Sequence, residues 1–284
     1  MPAAWTPLPS LSPIPEHTLA ETLDGGQCFR WNRHADGTWS GVSGHLALDV
    51  RSSGSALEVR IHGGDMAAAI THLGADRDWH DLADQLPWRT DPHLARCIDA
   101  FPGLRILRQP IGETLLGFLC STNKRIPQIK QIIARLADTL GEPIAPGIHA
   151  LPTWERLAAT SEETLRACGL GYRARHIAAV ARRLAAEPGL LRAIEEMTWP
   201  EAREALQSLP GVGPKVADCV LLFGAGRLEA FPVDTWIERA MRSRYHLEGW
   251  SPAQIAHFGR VHFGHLAGLA QQYLFAGERL SARS

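Results

Sequence analysis

The sequence predicts an α+β, mostly α fold, in which a small N-terminal domain with an antiparallel β-sheet precedes an all-helical body. Three observations lead to this prediction. The period of the apolar residues changes from two to about 3.6 near residue 64, glycine and proline separate nearly all helical segments, and a Gly/Pro-rich turn joins two late helices. With 284 residues the chain is long enough for two domains, which we place at residues 1–90 and 91–284.

The N-terminal domain is predicted to begin with a short helix over residues 15–25. Pro15 suits the first turn of a helix, and Gly25–Gly26 suits its end. Alternating apolar residues on both sides of the turn HADG then predict antiparallel strands. The side chains predicted to share one face of this sheet are Leu46, Leu48, Val50, Leu57, Val59 and Ile61.

Helices are predicted from residue 64 onward, because apolar residues recur there with helical spacing. The helix–hairpin–helix motif is placed at about residues 200–225, where the turn LPGVGP separates two helices. The predicted helices lie near residues 65–73, 78–85, 91–100, 111–121, 126–140, 152–158, 161–168, 173–186, 188–195, 200–207, 214–225, 235–244, 252–263 and 265–280.

The composition argues against several classes of protein. Apolar residues make up 45% and charged residues 21% of the chain, which is typical of a soluble globular protein. No apolar run reaches the roughly 18 residues of a membrane span, and the N-terminus lacks the features of a signal peptide. The five cysteines stand at least 23 residues apart, a spacing that fits neither a zinc site nor a disulfide framework. We therefore expect a cytoplasmic protein without a metal centre.

The charges are distributed unevenly along a chain whose net charge is only -1. Residues 1–100 carry 7 basic and 13 acidic side chains, whereas residues 101–284 carry 22 basic and 17 acidic ones. Two stretches, 122–135 and 164–186, contain four and five basic residues and no acidic residue. Such local patches suit a polyanion held in one place, although charge alone favours ordinary solvated helix surfaces.

The segment LPGVGPKVADC carries the first candidate for chemistry. Gly211 and Gly213 in a turn between helices allow backbone N–H groups to approach a DNA phosphate, while a simple turn between packed helices is the alternative. Lys215 follows directly and is one of three lysines in a chain with 26 arginines. A primary amine can attack carbon and form a Schiff base, which a guanidinium cannot; a solvated lysine is the more common alternative.

Asp234 is the second candidate. It follows Pro232 and precedes a predicted helix, which is the position of an N-cap residue, and most aspartates in this position only cap. It stands 19 residues after Lys215, about one helix and a return loop, so the two side chains are within reach of one cleft. A carboxylate there is suited to stabilise positive charge on a sugar carbon.

These motifs, in this order, resemble the base-excision DNA glycosylases of the helix–hairpin–helix, Gly/Pro–Asp superfamily. Within it, the chain is similar to the 8-oxoguanine DNA glycosylase/lyases of the eukaryotic type, of which bacteria carry relatives. The resemblance covers almost the whole chain. The matching segments are GGQCFRW at 25–31, FPGLRILRQ at 101–109, FLCSTN at 118–123, GLGYRAR at 169–175, LPGVGPKVADC at 209–219, FPVD at 231–234 and GLAQQYLF at 268–275.

The resemblance implies a substrate and a set of roles. The partner is double-stranded DNA that contains oxidised guanine. Lys215 is the nucleophile that attacks the deoxyribose, expels the oxidised base and remains attached as a Schiff base before β-elimination nicks the strand. Asp234 supports the oxocarbenium-like transition state and positions Lys215.

For the flipped base, the resemblance implies a pocket of four residues. The backbone carbonyl of Gly26 accepts the hydrogen on N7 of 8-oxoguanine, which guanine lacks, and Gln271 reads the Watson–Crick edge. Phe275 and Cys219 enclose the two faces of the base. Without the resemblance, Phe275 and Cys219 are equally well explained as core residues.

For the DNA that remains stacked, the resemblance implies that Asn123 fills the gap left by the flipped base. Tyr172 wedges beside the orphaned base, and Arg173 contacts the edge of that base. The two acid-free basic stretches would flank this insertion point, and the acidic first third of the chain would face away from DNA.

The sequence departs from the family at two positions. The eukaryotic enzymes have an arginine five positions after the matching asparagine, whereas this chain has Gln128, so we expect activity opposite bases other than cytosine. Trp236 stands where the family commonly has a histidine that helps to hold the 5′ phosphate of the lesion. Whether Trp236 stacks or leaves this phosphate to backbone groups stays open.

Three functions remain in competition at this point. The first is a bifunctional 8-oxoguanine glycosylase/lyase, the second a monofunctional glycosylase for alkylated bases, and the third a non-catalytic DNA-binding protein. Lys215 and the GGQCFRW segment argue against the second. We expect a monomer that requires no cofactor, with no catalytic metal cluster among the 13 histidines, although carbonyls of the hairpin could hold a monovalent cation.

Overall fold

The computed structural model describes residues 4–8, 14–53 and 56–282. The N-terminal part forms a five-stranded sheet in which all neighbouring strands are antiparallel. Its strands are β1 (Thr6–Pro7), β2 (Trp31–Arg33), β3 (Trp39–Ser43), β4 (Leu46–Ser52) and β5 (Leu57–Gly63). Their spatial order is β1-β5-β4-β3-β2.

The predicted sheet face is confirmed. Leu48 pairs with Ile61 and Val50 with Val59 across β4 and β5, so the alternating apolar residues lie on one side. This side packs against helix α1 (Glu16–Asp24), which occupies the predicted helical segment before the sheet. The sheet therefore buries its apolar face under a helix, as a sheet of a small domain must.

The helical body begins after the sheet, and the predicted α+β, mostly α fold is confirmed. The observed helices are α2 (Met66–His72), α3 (Trp79–Asp84), α4 (Pro92–Ala100), α5 (Ile111–Ser121), α6 (Ile126–Leu140), α7 (Trp154–Ala158), α8 (Glu162–Leu165), α9 (Ala174–Ala186), α10 (Leu190–Glu196), α11 (Trp199–Gln207), α12 (Pro214–Cys219), α13 (Thr235–Tyr245), α14 (Pro252–Phe263) and α15 (Ala267–Ser281). Short 3₁₀ turns lie at Pro87–Arg89, Gly171–Arg173 and Gly264–Leu266.

Two predicted helices end earlier than expected and continue as wider π-helical turns. Helix α8 is followed by such a turn at Arg166–Leu170, which is kinked at Gly169 (φ +93), and α12 by one at Val220–Gly224. The ribbon formed by β6 (Pro143–Ala145) and β7 (Ile148–His149) lies in a segment without a sequence prediction.

Two clusters of buried apolar side chains fill the described part of the molecule. The smaller cluster lies around the sheet and includes Trp31 and, from the later chain, Leu107. The larger cluster extends from Trp79 to α15 and includes Phe29 from the start of the sheet domain. Each part of the chain therefore contributes side chains to the core of the other part. The domain boundary at residue 90 stays a prediction. No helix in the described ranges is long and apolar enough to cross a membrane.

The segment between α1 and β2 is held on the helical body by Gln27. Its side-chain amide donates to the Arg105 carbonyl at 2.8 Å, and its side-chain oxygen accepts from the Leu107 amide at 3.0 Å. The Gln27 carbonyl accepts from the Gln109 side chain at 2.8 Å. Since Gln27 is buried, these bonds fix the neighbouring Gly25–Gly26 turn relative to the helices.

Candidate active site

The helix–hairpin–helix motif consists of α11, a tight turn and α12. The turn is closed by a hydrogen bond from the Val212 amide to the Leu209 carbonyl at 3.1 Å. Gly211 has φ +82, and a Cβ there would lie 3.1 Å from the Cβ of His176 on α9. At Gly213 a Cβ would meet no atom within 4 Å. The turn thus requires glycine at its first position and is open to solvent at its second.

Lys215 is the second residue of α12 and is half-buried. Its Nζ lies over the ring of Phe118, 4.6 Å from the ring centroid. Phe118 is itself stacked on Phe223, with the centroids 5.6 Å apart, and meets Phe29 edge-on at 5.3 Å. The amine therefore lies at the edge of an aromatic cluster rather than free in solvent.

Asp234 is the N-cap of α13. One of its carboxylate oxygens accepts from the backbone amides of Trp236 at 3.0 Å and Ile237 at 2.9 Å. Burial raises the pKa of the Asp234 carboxyl, and the Ile237 amide, the positive charge of Lys215 and the Trp236 amide act in the opposite direction. The positive charge of Lys215 thus acts on the Asp234 carboxyl, and Asp234 also performs the capping role.

Cys219 completes this group of side chains. It lies one helical turn after Lys215 and is 3% exposed. Burial raises the pKa of its thiol to about 12, while Lys215 lowers it and Asp234 raises it further. The thiol is therefore protonated at neutral pH and serves as a small apolar surface beside the amine and the carboxylate.

The residues predicted for the base pocket approach one another from two elements. Gln271 and Phe275 stand four residues apart on α15, so they share one face of that helix. Gly26 has φ +110, and a Cβ there would lie 3.2 Å from Ile126 Cδ1 and 3.9 Å from Phe275 Cε1. The buried Gln271 side-chain oxygen accepts from the Gln272 amide group at 2.7 Å. Gly26 and Phe275 thus lie side by side at the junction of the sheet domain and the body.

The residues predicted to contact the remaining DNA form a separate group. Asn123, in the loop after α5, is exposed and has φ +52. Tyr172 is 53% exposed, and its ring lies 4.5 Å from the guanidinium carbon of Arg173. Arg173 is buried and donates to the Thr122 carbonyl, so it ties the Asn123 loop to the Tyr172 turn.

Comparison with known proteins assigns the chain to a family. Residues 12–115 match the model of the 8-oxoguanine DNA glycosylase N-terminal domain, and residues 116–260 match that of the HhH-GPD superfamily of base excision DNA repair proteins. The chain belongs to the 8-oxoguanine DNA glycosylase family of the HhH-GPD superfamily.

Relatives support the assignment across nearly the whole length. The N-glycosylase/DNA lyase OGG1 of Arabidopsis thaliana is 33% identical over 93% of this chain and 78% of its own. The 8-oxoguanine glycosylase/lyase of Clostridium acetobutylicum, solved with dsDNA containing cytosine opposite 8-oxoG, is 34% identical. It aligns with a TM-score of 0.87 over 93% of this chain and 92% of that one. A 3-methyladenine DNA glycosylase from Archaeoglobus fulgidus, 19% identical over 98% of this chain and 99% of that one at a TM-score of 0.77, shares the fold alone.

The basic stretches of this family member are only partly available to a ligand. Lys130 pairs with Asp24 at 2.8 Å, and two further arginines each pair with a glutamate four residues away in the chain. The basic side chains of these stretches that form no ion pair within the described part of the chain, apart from the buried Arg173, are Lys124, Arg125, Arg135, Arg175 and Arg182. They belong to α6, α9 and the loop that carries Asn123, so part of the free positive charge lies beside Asn123, at Lys124 and Arg125, and beside Tyr172, at Arg175.

Phe118 is a site residue that the sequence did not single out. It belongs to a helix in which nearly all side chains are apolar, so periodicity does not distinguish it from core neighbours. The only signal was its position at the start of the FLCSTN segment. Gln128 and Trp236 were singled out: Gln128 is exposed and accepts from the Arg125 amide at 3.0 Å, and Trp236 is half-buried.

Proposed function

We propose that the protein removes 8-oxoguanine from duplex DNA and then nicks the strand at the resulting abasic site. One observation carries the proposal: Lys215, which follows the glycine-rich hairpin, and Asp234 are both half-buried, and the positive charge of Lys215 acts on the Asp234 carboxyl and on the buried Cys219 thiol. An amine next to a carboxylate supplies a nucleophile and a negative charge in the same cleft. Membership of the 8-oxoguanine DNA glycosylase family supports the choice of substrate.

In the proposed reaction, the Lys215 amine attacks C1′ of the damaged nucleotide. The bond between C1′ and the base breaks, its electron pair leaves with the base, and the base gains a proton. The attached amine loses a proton, and its nitrogen then forms a double bond to C1′ while the C1′–O4′ bond breaks and the ring oxygen gains a proton, which gives a protonated Schiff base. Asp234 stabilises the positive charge that develops on the sugar while the bond to the base breaks. In the later elimination, a proton leaves C2′, a double bond forms between C2′ and C3′, and the electron pair of the C3′–O bond leaves with the 3′ phosphate.

Recognition of the base is proposed to take place between Gly26 and Phe275. Within the described residues, the Gly26 carbonyl accepts no hydrogen bond, so it is available to the N7 hydrogen of 8-oxoguanine. Guanine has an acceptor at that position and would leave two acceptors facing each other. Gln271 would bind the Watson–Crick edge, and Cys219 would cover the face of the base opposite Phe275.

The DNA duplex is proposed to be held by backbone and side-chain groups on the same side as Asn123. Gly211 and Gly213 leave backbone N–H groups of the hairpin open to a phosphate, and Asn123 and Tyr172 occupy the space of the flipped nucleotide. Trp236 is proposed to pack near the 5′ phosphate.

Arg173 is predicted to contact the orphaned base. Its hydrogen bond to the Thr122 carbonyl indicates that it also holds the loop that carries Asn123. Its guanidinium has further donors, so contact with the orphaned base and support of the Asn123 loop are compatible.

No cofactor is proposed. The hairpin residues 209–214 offer neutral carbonyl oxygens and no carboxylate, a donor set that suits a monovalent rather than a divalent cation. DNA affinity measured with potassium replaced by tetramethylammonium tests this site. Within the described part of the chain, no group of three or more His, Cys, Asp or Glu side chains is arranged to hold a metal ion. We further propose that the protein is a monomer and that it binds the bacterial nucleoid in the cytoplasm.

Borohydride trapping on a duplex with one 8-oxoguanine tests the reaction. Wild type should give a covalent band, and Lys215→Gln should abolish it. The chain has only two other lysines, so Lys124→Gln and Lys130→Gln are matched controls that should keep the band. Release of the base without a band would indicate a monofunctional glycosylase, and neither band nor release would indicate a DNA-binding protein.

The second half of this experiment varies the base that pairs opposite 8-oxoguanine. Gln128 has a side chain that bonds back to the Arg125 amide, and it lacks the rigid donor fork of arginine. Wild type is therefore expected to excise 8-oxoguanine opposite all four bases with a shallow preference. Gln128→Arg should steepen the preference for cytosine; an unchanged ranking would contradict the assignment of position 128.

A further inference from the structure

Arg279 lies on the same face of α15 as the two residues proposed to bind the base. It follows Phe275 by four residues and Gln271 by eight, and this spacing places all three in one row along the helix. Its guanidinium carbon is 5.4 Å from the centroid of the Phe275 ring. No role in the reaction proposed above involves Arg279.

The guanidinium binds the turn on the opposite side of the pocket. One nitrogen, Nη1, donates to the Gly25 carbonyl at 2.7 Å and to the Glu21 carboxylate at 2.7 Å. The side chains of Arg279 and Glu21 are only 14% and 12% exposed. Partly buried, charged hydrogen bonds of this kind are stronger and more directional than surface ion pairs.

The bond to Gly25 fixes the end of α1. Gly25 is the C-cap residue, whose carbonyl has no partner inside the helix, and a cation at that end is favoured by the helix dipole. Gly25 is also tightly packed, since a Cβ there would lie 2.1 Å from the Glu21 carbonyl oxygen. The next residue, Gly26, has φ +110. Because glycine has no Cβ, its backbone can also adopt other conformations unless its neighbours hold it.

We propose that Arg279 is a positioning residue that sets the distance between Gly26 and Phe275 and thereby determines how well the pocket holds an oxidised purine. It joins two elements, the Gly25–Gly26 turn and α15, that meet at the site of base recognition. The inference rests on the proposed function, because it assigns a task in base selection. The inference predicts that loss of the Arg279 side chain slows excision of the base more than it slows nicking at an abasic site.

The experiment compares Arg279→Met with Arg279→Lys, which keeps a cation able to reach Gly25 and Glu21. Arg33→Met is the matched control, because Arg33 pairs with Glu16 at the other end of α1, where both side chains are exposed. Two rates are measured under single turnover: excision of 8-oxoguanine, and nicking of a duplex with a preformed abasic site, which needs Lys215 but no base.

Arg279→Met should slow excision by about tenfold to a hundredfold while nicking of the abasic duplex falls by no more than about threefold. Arg279→Lys should recover most of the loss, and Arg33→Met should match wild type. Equal losses in both rates, or no loss in either, would overturn the inference.

Amide hydrogen exchange distinguishes failure of this inference from failure of the proposed function. Wild type without excision or nicking would disprove the proposed function. In that case, exchange still tests Arg279: Arg279→Met should accelerate exchange over residues 24–28 and leave the hairpin at 209–214 unchanged. Unchanged exchange over residues 24–28 would refute the positioning role whatever the activity.

Discussion

The Nζ atom of Lys215 lies 4.6 Å from the centroid of the Phe118 ring. The face of an aromatic ring carries negative potential, so it stabilises a positive charge at this nitrogen. In the proposed mechanism the nitrogen carries that charge again after attack, in the Schiff base. Phe118 would therefore stabilise the covalent intermediate.

Replacing Phe118 by leucine should lower the yield of the borohydride-trapped adduct on an abasic duplex. A partly desolvated cation–π contact corresponds to a loss of about threefold to thirtyfold. Phe223→Leu is the matched control, because both phenylalanines are 3% exposed and the Phe223 ring stacks on Phe118. Equal reductions in the two variants would mean that the ring acts through packing alone.

The carboxylate of Asp234 has two tasks that substitutions can separate. In Asp234→Asn, the side-chain amide oxygen would still accept from the Trp236 and Ile237 amides, so this variant should keep the helix cap and remove only the charge. We expect excision to fall by about a hundredfold or more, with little change in the free energy of unfolding. Asp234→Ala should additionally cost about 1 kcal/mol in denaturant unfolding. Wild-type excision by Asp234→Asn would refute the electrostatic role.

Most of the fold was predictable because its helices are long enough to show their apolar faces. Helix α6, for example, buries Ile129, Ile132, Ile133 and Leu136 at helical spacing. The ribbon of residues 143–149 was not predictable, since strands of two or three residues show no alternation. The π-helical turn after Cys219 was missed for a related reason: one widened turn does not interrupt the apolar pattern.

Site residues were predictable where a motif named them, but their surroundings were not. Arg173 was predicted at the edge of the orphaned base, but its burial and its hydrogen bond to the Thr122 carbonyl were not predicted. Burial of that kind depends on how the loop after α5 packs against the Tyr172 turn, which no local pattern encodes. Phe118 went unnoticed because an aromatic residue in an apolar helix looks like any other core residue.

The two glycines of the hairpin should respond differently to alanine. Gly211→Ala forces a side chain into φ +82, 3.1 Å from the His176 Cβ, and should cost about 1–2 kcal/mol of stability. Gly213→Ala meets no atom within 4 Å and should leave the free energy of unfolding unchanged. If a phosphate binds at the hairpin, Gly213→Ala should nevertheless weaken DNA binding and reduce the slope of log affinity against log salt by about one unit. Unchanged affinity would place the phosphate elsewhere.

Asp218, three residues after Lys215 on α12 and paired with Arg203 of α11, should make stability depend on pH. Its side chain is 2% exposed and pairs with Arg203 at 3.0 Å, but burial outweighs the pairing and raises the pKa of the carboxyl from 3.8 to about 6. Because the folded pKa is the higher one, the folded state retains the proton longer than the unfolded state. The contribution of Asp218 to stability is therefore lost as pH rises from about 4 to about 6.

Asp218→Asn removes this titration and keeps an acceptor for Arg203. The difference in free energy of unfolding between the variant and wild type should shift in favour of the variant by up to about 3 kcal/mol over that range and stay constant above it. Denaturant unfolding of both proteins at several pH values measures this difference. The contributions of the other titrating groups cancel in it, because both proteins contain the same groups. A shift of the opposite sign would mean that Arg203 holds the pKa of the carboxyl below its ordinary value, so that the ion pair outweighs burial.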